Sequence, residues 1–439
     1  MPIDSGTNVE RGARALLGVA AAALVVATGC RGCEADVVRW VEREANPVTE
    51  PADFEPLVDR AAGHSLILLG EATHGTEEFY SVRRELTQAL VRREAVDFVA
   101  VEGDWALLVE VNAWVRGGGD DGDGRRLVEG LDRWPDWMWA NEQTLKLVTW
   151  LREWNTGRPE ADRVGIYGVD VGSPEQNARD LVDWLDDARA ERVEDGFACV
   201  SEVARGGGLG RLDDSEWDAC ERELEAAVAA LEDAPAAERA PPARDPFYLG
   251  LSARSLRQAI RRERAEDEAE AWNARAGHFF DVASRLLGRE GAGGAGVVWA
   301  HNTHIGDARA TPMADSDREN IGELANRNLG DSAVFQVGLG TDRGEVLAAP
   351  RWGAAPETLA IETSASGSLE AYFRDHGPKR FFALIGDSVP RRLARRVPHW
   401  AIGVVWDGEG EGVYVPTDLA DRYDAFVWIE HTSALELLQ

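Results

Sequence analysis

The sequence predicts an α/β protein: a mainly parallel sheet flanked by helices, with an inserted helical cap subdomain. Three features carry that reading. First, short continuous apolar runs at 66–70, 98–101, 164–169 and 297–300, bounded by polar and glycine residues, have the pattern of strands buried on both faces. Second, stretches of helical periodicity at 77–93, 105–116 and 141–154 alternate with these runs, as covering helices do. Third, residues 175–290 lack strand patterns, yet strand-like runs resume at 296–300, 333–338, 381–385, 401–406 and 425–430. The sheet is therefore expected to be built from both sides of a helical segment.

In chain order, residues 1–36 form an extension, 37–174 and 291–439 the α/β core, and 175–290 the helical insertion. Within the extension, residues 15–29 are uncharged and apolar, preceded by Arg11 and Arg14 and followed by Cys30. That length suits the h-region of a signal peptide better than a membrane span. The run Ala27-Thr28-Gly29-Cys30 has the small residues and terminal cysteine of a lipoprotein cleavage site, although Ala27 is smaller than usual and Asp4 and Glu10 depart from a basic n-region. Two readings stand: an exported lipoprotein anchored at Cys30, or an extension without a targeting role. Cys30 and Cys33 have CxxC spacing, but no second CxxC follows and no strand precedes them, so redox or zinc chemistry is not expected there. The four cysteines define no disulfide framework.

In the core, the helix after residue 76 places Phe79, Val82, Leu86, Ala89 and Leu90 on one apolar stripe. Residues 117–124, GGGDDGDG, read as a surface loop because the spacing fails the EF-hand pattern. In the insertion, 215–232 is an acidic helix, 234–246 a Pro/Ala-rich break and 255–287 one long charged helix.

Net charge excludes one class of partner. The chain has 47 Lys and Arg against 78 Asp and Glu, a formal charge of −31, and a surface this acidic repels phosphate backbones. Only Lys146 and Lys379 are lysines, which fits a GC-rich genome or a host whose proteins stay hydrated through carboxylates.

The chemistry gathers at strand ends, where α/β sheets place their ligands. The four apolar runs lead into Glu71, Glu102, Asp170 and His301. These four are expected to share one site. In the segment Gly70-Glu71-Ala72-Thr73-His74-Gly75, the glycines permit a tight turn that brings Glu71 and His74 to the same cleft. Arg83 falls on the apolar stripe, where a guanidinium needs a carboxylate, Glu71 or Glu102, unless it snorkels to the helix edge. His301 and His304, three residues apart at a strand end, stand out among eight histidines; His64, His278, His376, His399 and His431 lack that context and read as structural. A histidine polarised by a carboxylate deprotonates water, and a second histidine or an arginine stabilises the oxyanion that results. GxSxG, HExxH and P-loop patterns are absent, and Gly338-Leu339-Gly340 with Gly344 misses the dinucleotide fingerprint. The same Glu and His set is also able to hold a divalent metal, which the residues alone do not separate from hydrolysis by activated water.

Together, the run GEATHGTEEFY with Arg83 downstream, the Glu102 strand end, RWPDWMWANEQ at 133–143, YGVDVGS at 167–173 and WAHNTHIGDARAT at 299–311 resemble the erythromycin esterase family over roughly residues 37–439. The resemblance implies an α/β core with helical additions around a deep cleft, and metal-independent hydrolysis of a macrolide lactone ester with no cofactor. By the same resemblance His74 is the general base, and Glu71, Arg83, Glu102, His301 and His304 are the remaining site residues. Asp170, Asn302 and Trp139 are expected on the substrate side. The partner implied is a small ester or lactone, the role antibiotic resistance, and the compartment the cytoplasm, with membrane contact only through an N-terminal anchor.

Two departures concern substrate rather than chemistry. Trp137-Met138-Trp139-Ala140-Asn141-Glu142 lacks the arginine many members carry, and Ala276-Gly277 stands where charged residues are common. Two rivals stay open: a metallohydrolase using the same Glu and His set, and a non-enzymatic surface protein that captures a ligand or cofactor.

Overall fold

The computed structural model describes residues 31–189, 198–206, 209, 212–232, 245–289, 294–408 and 413–438. The apolar stretch 15–29, the cleavage-site-like run and Cys30 lie outside the described residues, as does most of the 234–246 break. Residues of the expected extension from Arg31 onward belong to a helix, Arg31–Glu44, which buries Val37, Trp40 and Val41. Among the described residues no helix is long and apolar enough to cross a membrane.

The strands are β1 (Asn46–Pro47), β2 (Leu66–Leu69), β3 (Phe98–Asp104), β4 (Gly165–Asp170), β5 (Gly296–Trp299), β6 (Val334–Ala348), β7 (Glu357–Ile361), β8 (Arg380–Leu384) and β9 (Ala425–Thr432). The described residues divide into two compact units, one from the stretches up to Leu90 and from Ala300 to Leu437, the other within Val91–Trp299.

In the first unit β6 runs parallel to β2, with Leu66 opposite Val334, and parallel to β9, with Val337 opposite Ala425. β8 lies antiparallel to β9, β1 antiparallel to β8, and β7 antiparallel to the far half of β6. Every residue of β2 is buried, which is why its sequence, Leu-Ile-Leu-Leu, shows no alternation. In the second unit β3 is parallel to both β4 and β5, and Phe98 stands opposite Gly165 and Gly296. A Cβ on Gly296 would meet the Phe98 ring at 2.1 Å, so glycine lets that ring lie flat on the sheet. The expected fold class, a mostly parallel sheet with flanking helices, is the one observed.

Three local expectations change. Residues 401–406 form no strand: Ile402 and Val405 make only isolated bridges, to Thr73 and Ala349, and Trp400 stacks on Tyr414 with centroids 4.4 Å apart. Their hydrophobicity serves loop packing rather than a ladder. The long charged helix is two helices, Pro246–Arg264 and Glu268–Arg289, because Ala265 turns extended (φ −55°, ψ 132°) and Asp267 accepts the Glu270 N–H at 2.9 Å. Finally, β3 continues to Asp104, which places Glu102 inside the strand rather than beyond it.

The helices Pro174–Arg189, Ala198–Ala204, Asp214–Glu232 and Pro246–Arg264 share a core of Leu181, Val200, Leu224, Leu249 and Leu256. A disulfide joins Cys199 to Cys220, whose Cα atoms are 5.2 Å apart. In the chain-entropy account a crosslink of this span contributes about 3 kcal/mol. The spacing of four cysteines gave no hint of this pair, since pairing depends on the packing of two helices.

His278, on Glu268–Arg289, is fully buried, and neither ring nitrogen has a hydrogen-bond partner among the described residues. Burial lowers its pKa from 6.5 to about 4, Arg254 and Arg257 act in the same direction, and Asp281 and Asp170 oppose them. The unfolded chain therefore takes up the proton first as pH falls. Stability held above pH 6.5 is lost between 6.5 and 4, by about 3 kcal/mol. Asp104 and Asp180, both raised to about 6 chiefly by burial, act in the opposite sense over part of that window. The His278→Leu variant isolates the histidine: in denaturant titrations from pH 7 to 4, its advantage over the parent should grow by about 3 kcal/mol. A constant difference across that range overturns the assignment.

Candidate active site

In the first unit, the segment after β2 and the segment beginning at Ala300 run side by side. The Ala300 N–H donates to the Leu69 carbonyl at 3.2 Å, and the Asn302 N–H donates to the Glu71 carbonyl at 2.8 Å. The glycines in the first segment serve close approach rather than a left-handed turn. A Cβ on Gly70 would meet Asn302 Oδ1 at 2.0 Å, one on Gly75 would meet the Leu347 carbonyl oxygen at 1.8 Å, and neither residue has positive φ.

This crossing brings Glu71, His74 and His301 together, all nearly buried, and the buried His304 follows one helical turn on, its N–H donating to the His301 carbonyl at 2.8 Å. His74 Nδ1 lies 2.9 Å from Glu71 Oε1. A carboxylate only accepts, so Nδ1 carries the proton and the lone pair of the neutral ring sits on Nε2. The Tyr80 hydroxyl donates to the His74 carbonyl at 3.0 Å and steadies the turn. The His301 ring is 4.8 Å from the His74 ring, centroid to centroid. Its Nδ1 caps the helix Asn302–Ile305 by accepting the Thr303 N–H at 3.2 Å, and the Thr303 hydroxyl, free to donate, lies 2.8 Å from the same nitrogen, an arrangement that matches the tautomer with the ring proton on Nε2. Two adjacent imidazoles are thus held in opposite tautomers, one with a basic nitrogen and one with a donor.

Arg83 answers the question its place on an apolar stripe raised. It does not snorkel: it is fully buried, and its Nη2 lies 2.5 Å from Glu71 Oε2. Its guanidinium also stacks over Tyr80 at 4.4 Å. One Glu71 oxygen therefore holds the histidine and the other holds the arginine.

In the second unit, Glu102 and Asp170 share a different cation. Arg275 Nη2 is 2.8 Å from Glu102 Oε1 and 2.7 Å from Asp170 Oδ2, and its Nε is 2.9 Å from Asp170 Oδ1. Burial opposes the charged form of Asp170, yet the facing guanidinium holds its pKa below the usual carboxylate range. Burial likewise opposes Arg275, and the two carboxylates raise its pKa. Asp104 caps the helix Trp105–Val115 through the Ala106 N–H at 3.1 Å; burial raises it to about 6, against the Ser173 hydroxyl and Arg133. The Trp139 indole N–H donates to the Glu102 carbonyl at 3.0 Å.

The nine residues singled out in the sequence are divided between the two units. Glu71, His74, Arg83, His301 and His304, with Asn302, belong to the first unit; Glu102, Asp170 and Trp139 belong to the second. Asn302 differs from expectation. It is fully buried, its amide donates to the Leu339 carbonyl at 2.7 Å, and it holds the framework rather than facing a substrate. Arg275 is not among the residues expected from the sequence, although it stands in helical register with Phe279, Val282 and Leu286, the same signal that marks Arg83. Among the described residues no group of three or more His, Cys, Asp and Glu side chains is arranged to ligate a metal ion.

Solved structures of low identity share this fold. A succinoglycan biosynthesis protein superposes with a TM-score of 0.76 at 18% identity, over 93% of this chain and 100% of its own. A Bacillus cereus protein gives 0.74 at 17%, over 92% and 99%. A histidine-to-asparagine mutant of the erythromycin esterase EreC, in its open conformation, gives 0.60 at 14%, over 88% and 95%. The family model for erythromycin esterase matches residues 91–432, well over half of the sequence, and the chain belongs to the erythromycin esterase family.

Proposed function

We propose that the protein hydrolyses a macrolide lactone, or a related ester, with water activated by His74. The observation that carries this reading is the pair of imidazoles 4.8 Å apart in opposite tautomers. In the reaction, His74 Nε2 takes a proton from water as the oxygen attacks the ester carbonyl carbon. Negative charge develops on the carbonyl oxygen, which His301 Nε2–H meets, with His304 beside it. Collapse expels the alkoxide, which recovers the proton from His74, so one water is consumed and an acid and an alcohol are released. Glu71 keeps Nδ1 protonated and stabilises the imidazolium that forms in between.

Arg83 takes a different role from the one its charge first suggests. Fully buried and paired with Glu71, it aligns that carboxylate rather than binding the oxyanion. Family membership supports an ester hydrolase, and the esterase name of one fold neighbour supports the macrolide as the first substrate to try. A product that inactivates a macrolide would confer resistance on its host.

The test is a mass-spectrometric panel of macrolides and simple lactones, run with and without chelator. Gain of one water by a macrolide, undiminished by chelator, is the expected result. Loss of turnover on chelation would favour a metallohydrolase, and binding without turnover across the panel would favour a capture protein; either outcome overturns the proposal.

A further inference from the structure

Asn302 is held from every side. Its N–H donates to the Glu71 carbonyl at 2.8 Å, and its carbonyl accepts from Arg422 Nη2 at 2.9 Å. Its amide donates to the Leu339 carbonyl at 2.7 Å, and its Oδ1 accepts the Leu339 N–H at 3.3 Å. The second amide hydrogen points to His399 Nε2, 3.2 Å away. Behind it, His399 Nδ1 lies 2.6 Å from Glu370 Oε1, which also accepts the Trp400 N–H at 2.9 Å. Glu370, His399 and Asn302 are all fully buried.

A carboxylate sealed beside an imidazole is a poor way to fill a core, since both lose their hydration. What the pair does supply is direction. Glu370 accepts from Nδ1, so the neutral ring must offer Nε2 as an acceptor, and that acceptor selects one orientation of the Asn302 amide. Burial lowers the His399 pKa, against Glu370, which keeps Nε2 unprotonated for that purpose. Arg422 acts on it as well, and the Tyr423 and Phe426 rings face it at 6.3 and 5.5 Å. Asn302 sits between the two turns of the site: its backbone binds the Glu71 carbonyl, and its chain neighbour is His301.

We infer that Glu370, His399 and Asn302 form a positioning relay that sets the separation of His74 and His301. This rests on the hydrolytic reading above. The relay touches no substrate; it fixes the peptide that joins the base-bearing turn to the donor-bearing turn, and small errors there are amplified in rate.

The test compares His399→Leu and His399→Gln with the parent. In His399→Leu, kcat should fall tenfold to a hundredfold with KM changed less than threefold, and the pH–rate limb should shift. His399→Gln, whose amide can still accept from Asn302, should recover kcat to within about fivefold. Histidine ring titrations by NMR give a readout independent of turnover: the His74 and His301 curves should move by at least half a pH unit in His399→Leu. If they move but no lactone is hydrolysed by the parent, the hydrolytic reading alone fails. If His399→Leu melts earlier yet keeps its kcat, pH profile and ring titrations, the relay is only structural and the inference is overturned. Should His399→Leu not fold, Glu370→Gln takes its place, and unchanged kcat and titrations there overturn it equally.

Discussion

Replacing His74 with asparagine should lower kcat for ester hydrolysis by roughly 10²- to 10⁴-fold, the usual contribution of a positioned general base. Asparagine is the informative choice because its amide still donates to Glu71, now 2.9 Å from His74 Nδ1, while nothing replaces the basic Nε2. KM should change little, since the loss falls on the transition state rather than on binding. The melting temperature should stay within a few degrees of the parent, which separates chemistry from folding. The pH dependence should change as well: the parent loses activity as the base becomes protonated, and the variant should be flat in that region. A His74→Asn protein that keeps most of its activity removes His74 from the role of base.

Replacing Arg83 with methionine should cost about 3–5 kcal/mol of stability, because it strands a buried carboxylate. Both partners are shielded from water, Arg83 at 0% and Glu71 at 1% exposure, so solvent does little to relieve the loss. Methionine fills much of the space of the stem, which keeps the cavity contribution small and the result attributable to charge. The control is the double variant Arg83→Met with Glu71→Leu. With both charges gone, stability should lie well above the sum of the single losses, a coupling read from a double-mutant cycle in denaturant. An Arg83→Met midpoint equal to that of the parent, with unchanged slope, would show that Glu71 does not depend on this guanidinium. Activity should fall in every one of these variants, since Glu71 also orients His74.

Periodicity made much of the site readable. Arg83 was conspicuous because a guanidinium on a core-facing stripe demands a counter-ion, and the structure supplies one. The choice between Glu71 and Glu102 was not readable, since both follow apolar runs in the sequence; packing settles it by setting Arg83 against Glu71. Arg275 itself carries a weaker signal because its stripe lies in a charged stretch of sequence where arginines are common. His399 and Glu370 carried no signal at all. A single histidine and a single glutamate, 29 residues apart, acquire meaning only when a helix and a loop bring them within 2.6 Å.

The local pattern of apolar runs, glycines and paired motifs was enough to determine the class of fold and the family and to single out most of the charged and imidazole side chains described above, Arg275 excepted, because burial in a parallel sheet leaves its mark on every position of a strand. Which partner each charge finds, which tautomer each histidine adopts and which residue is framework rather than contact were decided by tertiary structure. Hydrogen bonds and ion pairs act over about 3 Å, and at that range only the folded chain, not the spacing along it, says which groups are neighbours.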